Sequence, residues 1–173
     1  MFLELIAVFV GGIAAAGMVL LLNRLVGGRL PKWLMPIAAG AAMLGVTISS
    51  EIGWYGRTVA ALPAGIEVAQ VVEERAFYRP WTYVTPYISR FVALNRSTLR
   101  RHAEQPDLRI AEMLFYGRWA PLHRVQVAID CKAGRRAELI DGVSFGADGA
   151  VLGADWADVG GDDPLVAAVC RDA

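Results

Sequence analysis

Two long apolar runs open the chain, and the pattern of hydrophobic and polar positions changes character after Glu51. Phe2 to Leu22 reads FLELIAVFVGGIAAAGMVLLL, with Glu4 its only charge. As a helix this run extends about 30 Å, the thickness of a bilayer's hydrocarbon layer. Backbone groups in lipid need internal partners, so an isolated span is expected to be helical. A cleaved signal peptide is the rival reading. It wants a positive charge ahead of a shorter apolar core, where this chain has Glu4. The second run, Trp33 to Ile52, is apolar, Thr47 apart, only from Leu34 to Ile48. Taken alone it also suits a buried soluble helix or a re-entrant segment. Trp33 and Trp54-Tyr55 flank it as interfacial aromatics do, and Pro36 fits a first helical turn. The expectation is a transmembrane helical hairpin over residues 1–52.

The link between the runs carries Arg24, Arg29 and Lys32 with no acidic residue. Under the positive-inside rule it is cytoplasmic, and everything after Glu51, like the N-terminus, lies on the opposite side. Gly12/Ala16 and Ala41/Gly45 place small groups four residues apart, which permits close helix approach. Packing within the hairpin and docking on a partner membrane protein both account for them. Glu4 and Glu51 are expected as exposed carboxylates at the outer interface.

Beyond the hairpin, Pro63 at a first helical position predicts a helix to Arg75 carrying Ile66, Val68, Ala69, Val71 and Val72. Phe77, Tyr78, Trp81, Tyr83, Tyr87 and Phe91 follow, broken by Pro80 and Pro86, which argue against a long helix. Residues 53–87 therefore read as a juxtamembrane helix and aromatic linker. The aromatics suit either a collar on the membrane surface or the start of a core. From 88 to 173 the pattern shortens to strands at Ile88–Leu94, Leu108–Tyr116, Arg124–Ile129, Arg136–Ile140 and Val143–Phe145. Asp141-Gly142 and Asp148-Gly149 are hairpin-type turns. Asp162-Asp163-Pro164 caps a last helix, Leu165 to Cys170. The fold class is a membrane-anchored α+β chain: a two-helix hairpin, then a small, mostly antiparallel β domain closed by a C-terminal helix.

Composition sharpens this division. The hydrophobic fraction is 55% and the mean hydropathy +0.41, high for a soluble chain, and the excess lies before Glu51. Lys+Arg and Asp+Glu are 17 each, which gives no case for nucleic-acid binding through bulk charge. Cys131 and Cys170 are the two cysteines. In an oxidising compartment they favour a structural disulfide, with two buried free thiols as the alternative.

Chemistry is sparse. His102 and His123 lack ligand-spaced partners, and Ser97 and Ser144 lie outside any nucleophile-elbow pattern. The acidic tail Asp141, Asp148, Asp155, Asp158, Asp162 and Asp163 does not follow a calcium-loop frame. Asn95-Arg96-Ser97 has the formula of a glycosylation sequon. No cofactor or metal site is expected, and no catalytic constellation. Arg96, Arg100 and Arg101 form a basic cluster read as a solvated loop, with contact to lipid headgroups or an acidic partner as the functional alternative. Trp81 and Tyr83 are candidates for the same contact.

The block from FVALNRSTLRR through LRIAEMLFYGRWAPLHRVQVAIDCKAGRRAELIDGVSFGADGAV to the late Trp156 and PLVAAVC resembles the small extracytoplasmic domain of the bacterial surface-adhesin protein E-like group. The likeness covers roughly residues 88–171 and rests on I-D-C-x-x-x-R and the closing Val-Cys. It implies a compact β-rich domain, a Cys131–Cys170 disulfide and a periplasmic or cell-surface location. A membrane hairpin stands where that group has a secretion signal, which favours an inner-membrane protein facing the periplasm, with both termini there. The expected function is a non-catalytic accessory or assembly subunit of a larger integral membrane complex, in contact with lipid. A membrane-anchored periplasmic ligand-binding or sensor protein is the alternative.

Overall fold

The computed structural model describes residues 2–101, 105–139, 143–146 and 149–171. The chain divides into two compact units, Met1–Arg57 and Thr58–Ala173. The turn signals at Asp141-Gly142 and Asp148, the strand end at Ile140, and His102 lie outside the described residues.

In the first unit, α1 (Phe2–Leu25) and α2 (Leu34–Ala60) form an antiparallel hairpin, and both are long and apolar enough to cross a membrane. The basic link is an ordered cap. Gly28 N–H donates to Asn23 O at 2.8 Å and Gly27 N–H to Arg24 O at 3.3 Å, the two bonds of a Schellman motif. Gly27 takes φ +73°, a conformation that a side chain disfavours. The Asn23 side chain then accepts Leu30 N–H at 2.9 Å, closing the turn.

The small residues of the two spans have different fates. A Cβ added at Gly12 would lie 2.8 Å from Met43 Cγ, and one at Gly11 3.0 Å from Val46 Cγ2, so these glycines set the helix approach. Ala16 is half-buried, whereas Ala41 and Gly45 are exposed and point out of the hairpin. The carboxylates also depart from expectation. Glu51 is 7% exposed, and Glu4 is half-buried and accepts the Ser50 hydroxyl at 2.7 Å. Because Glu4 stands level with Ser50, the last turns of α2 continue past the start of α1. Gly53 and Gly56 therefore lie within α2.

The second unit is a six-stranded antiparallel sheet in the order β1-β2-β3-β4-β5-β8. Its strands are β1 (Ile66–Glu74), β2 (Tyr87–Arg101), β3 (Leu108–Gly117), β4 (His123–Asp130), β5 (Arg135–Glu138) and β8 (Ala157–Asp158). A short hairpin of β6 (Ser144–Phe145) and β7 (Val151–Leu152) stands apart. Alternation along the central strands sends Val92, Leu94, Ala111, Met113, Val127 and Ile129 to one face. There they meet Leu165, Val166, Ala168 and Val169 of α3 (Pro164–Cys170). Burying such side chains stabilises by about 1.5–3 kcal/mol each, which makes this contact the centre of the domain. Asp163 caps α3, its Oδ1 accepting Leu165 N–H at 3.0 Å and Val166 N–H at 3.2 Å.

Cys131 and Cys170 are disulfide-bonded, with Cα atoms 5.7 Å apart, joining the end of β4 to the end of α3. The turn after β4 is shaped for close approach. Gly134 has φ +66°, and a Cβ there would come within 2.9 Å of the Gly160–Gly161 backbone.

Two further expectations are corrected. Residues 63–75 are not a helix: Pro63 and Gly65 (φ +90°) make a turn, and Ile66–Glu74 is the edge strand β1 paired with β2. The β-branched residues Ile66, Val68, Val71 and Val72 suit a pleated, half-buried surface better than a helix. The segment 95–101 is not a loop either. β2 runs on to Arg101 through an irregularity between Asn95 and Arg100, where the Asn95 side chain accepts Ser97 N–H at 3.2 Å and the Asn95 backbone carbonyl accepts the Thr98 hydroxyl at 2.8 Å.

Candidate functional site

Register gathers distant segments at one end of the sheet. Glu74 pairs with Tyr87 and Arg90 with Gly117, so the β1–β2 loop and the β3–β4 loop emerge side by side. The chain enters β1 at the opposite end. Among the described residues, 75–90 and 117–124 together contain five arginines, Arg75, Arg79, Arg90, Arg118 and Arg124, while the exposed Glu73 and Glu74 adjoin them, paired with Ile88 and Tyr87.

The β1–β2 loop is built around a buried hydroxyl. Thr82 Oγ1 donates to Arg79 O at 2.7 Å and accepts Ala76 N–H at 3.1 Å. Pro80 starts the single 3₁₀ turn Pro80–Tyr83, where a missing N–H costs nothing. With Thr82 drawn inward, the neighbouring side chains go outward: Phe77 is 86% exposed, Val84 87%, and Tyr78 and Tyr83 are exposed too. Arg118 N–H donates to Ser89 O at 3.0 Å, tying the second loop to the start of β2. That loop presents Trp119 and Leu122 to solvent.

The arginines lie beside the rings. The Arg79 guanidinium sits 5.4 Å from the Tyr78 ring centre and 5.6 Å from that of Tyr87, and Arg118 sits 4.8 Å from that of Trp119. At such distances a cation is attracted to the ring face. Behind the loops is an apolar cavity of about 330 Å³ lined by Val72, Val92, Phe115, Ala120 and Pro121, with Arg90 and His123 at its polar points. α3, at seven residues, is shorter than the strands that it covers.

The expected site residues are divided by the fold. Trp81 is half-buried in the 3₁₀ turn and Tyr83 is exposed beside it. Tyr87 and Phe91, from the same aromatic run, are buried, with Phe91 stacked on Tyr116 at 4.7 Å. Arg96 is half-buried and bonds Glu67 at 2.6 Å, while Arg100 and Arg101 are exposed beyond the irregularity in β2. Trp119, Leu122, Arg79 and Arg118 were not singled out from sequence. Their signal, arginine beside aromatic, is visible in the chain but split between segments about 40 residues apart.

A second cleft, about 350 Å³, lies toward the other end among Asp107, Asp130, Lys132, Arg135 and Trp156. Asp130 is committed to its own turn: Oδ1 accepts Lys132 N–H and Ala133 N–H, and Oδ2 accepts Arg135 Nε at 3.1 Å. Arg135 also lies 4.8 Å over the Trp156 ring. No group of three or more metal-ligating side chains occurs among the described residues. No family model, curated protein or solved structure matches the chain.

Proposed function

We propose that this chain is a membrane-anchored accessory or assembly subunit of a bacterial inner-membrane complex, with α1 and α2 in the bilayer and the β domain in the periplasm. Arg24, Arg29 and Lys32 in the capped link set that orientation. The Cys131–Cys170 disulfide suits an oxidising compartment. The observation that carries the accessory role is the division of small residues. Gly11 and Gly12 are consumed within the hairpin, while Ala41 and Gly45 face outward with nothing within 4 Å of a Cβ added at Gly45. Small residues on an outer helix face permit close approach of a partner helix in lipid.

Tagged protein expressed at its native level, extracted in mild detergent and sized under native conditions, tests this. The expected result is a high-mass assembly whose other member is an integral membrane protein and which Gly45→Leu disrupts. A monomer at the hairpin chain's own size overturns it. A periplasmic ligand-binding role is the second reading, favoured by the charged cleft beside Trp156. It predicts a small molecule retained by the monomer and lost in Trp156→Ala.

A further inference from the structure

We infer that the loop end of the β domain, residues 75–90 and 117–124, is an anionic-lipid-binding element whose aromatic side chains insert among the headgroups. The inference rests on the membrane reading of α1 and α2.

Three observations combine. Phe77 and Val84 are 86% and 87% exposed, so they project from the fold rather than line a recess. Trp119 and Leu122 extend the same end from a different loop. Such side chains at a polypeptide's rim match the bilayer interface, where amphipathic rings settle at headgroup level. The charge leans basic: these segments carry five arginines, against Glu73 and Glu74 beside them at the end of β1, in a chain whose net charge is zero. That complements an anionic surface, where each basic residue contributes to attraction. Arg79 and Arg118 are also held over Tyr78 and Trp119, so cation and ring arrive at the lipid together. The loops are braced for this by buried Thr82 and by the Arg118–Ser89 bond, which reduces the ordering cost on binding.

A domain tethered to a bilayer meets lipid at high effective concentration, so modest affinity suffices.

The full chain is reconstituted into vesicles of phosphatidylcholine alone or mixed with phosphatidylglycerol. An environment-sensitive fluorophore is attached at Val84→Cys or, as a control, at Ser97→Cys in the other half of β2. In phosphatidylglycerol vesicles the Val84 label is expected to shift to the blue and to be quenched by a nitroxide on the lipid tails, while the Ser97 label stays aqueous. Neutralising Arg79→Gln and Arg118→Gln lowers the inserted-to-free ratio roughly fivefold per arginine, and zwitterionic vesicles show the same weakening. An aqueous Val84 label in phosphatidylglycerol vesicles, or equal quenching at both positions, overturns the proposal. So does a label shielded only in native membranes, which points to a protein on this surface. Alkaline carbonate extraction reports separately on the anchor: release of the whole chain refutes the membrane reading itself.

Discussion

Arg109, buried on the α3 side of β3, donates from Nη1 to the carbonyl oxygen of Val169 in the last turn of α3. The final carbonyls of a helix have no partner within it and carry the negative end of its dipole. A guanidinium from the sheet answers both needs inside the core. Removing it leaves a buried acceptor unsatisfied and opens a cavity. Arg109→Ala is therefore expected to destabilise the domain by about 2–4 kcal/mol. Arg109→Lys, which keeps the charge but not the planar reach, should recover only part. Denaturant titration of the full chain in detergent, followed by near-UV circular dichroism, measures both.

The Cys131–Cys170 bond closes a loop of 39 residues around the elements that dock α3. In the chain-entropy picture such a loop constrains the unfolded state by roughly 4 kcal/mol. Cys170→Ser, or reduction of the native chain, is expected to lower the unfolding free energy by an amount approaching that value, and the unfolding midpoint with it. The small core under α3 has little else to replace it. A mobility shift on reduction in non-reducing gels confirms the bond independently. An unchanged midpoint shows that α3 docks without its covalent clamp.

Glu67 joins three elements: one oxygen accepts Arg96 Nε of β2 at 2.6 Å, and the other accepts Arg171 Nη1 at the end of α3 at 2.9 Å. The Arg96 hydrogen bond, with the charges of Arg96 and Arg171, holds this carboxyl below the usual carboxylate range against the opposing effect of burial. A carboxylate with a lowered folded-state pKa stabilises fully above its unfolded value, near 4.5. That contribution is lost as pH falls through the folded-state pKa. The groups are partly exposed, so Glu67→Gln should cost no more than about 1 kcal/mol at neutral pH. The variant should also flatten the stability profile below pH 4.5. A profile unchanged by the substitution excludes Glu67 as the titrating group.

The hairpin, strands β2 to β5 and capped α3 were legible because each has one dominant period or a capping signal beside it, as at Asp163-Pro164. β1 was hidden for a specific reason. Its pairing with β2 shifts register between Val68 and Gln70 and again between Val72 and Glu73. The two-residue alternation is therefore broken twice, and what remains of Ile66, Val68, Ala69, Val71 and Val72 mimics a helical face. Pro63 strengthened the false reading, since proline opens turns and helices alike. The loop-end site was legible only in halves. Phe77 to Tyr83 stands out along the chain, but Trp119 and Arg118 join it through the Arg90–Gly117 register, which local pattern does not encode. Composition likewise could not separate Tyr83, which is exposed, from Tyr87, which is buried.

The two small-residue pairs of the hairpin make opposite predictions. At Gly12 the nearest atoms to a new side chain are Met43 Cγ and Sδ at 2.8 and 3.1 Å, with the Ala39 carbonyl at 3.6 Å behind them. Gly12→Leu must push the helices apart and is expected to cost about 1–3 kcal/mol, the usual range for overpacking. It should also weaken the Ser50–Glu4 bond, a few turns along the same seam. At Gly45 the space is open, so Gly45→Leu should change hairpin stability by no more than about 0.5 kcal/mol. Titration with a denaturing detergent, followed by helical circular dichroism, separates the two. Loss of partner association in Gly45→Leu with the hairpin intact assigns that face to docking. Equal destabilisation by both substitutions means instead that Gly45 also serves the hairpin's own packing.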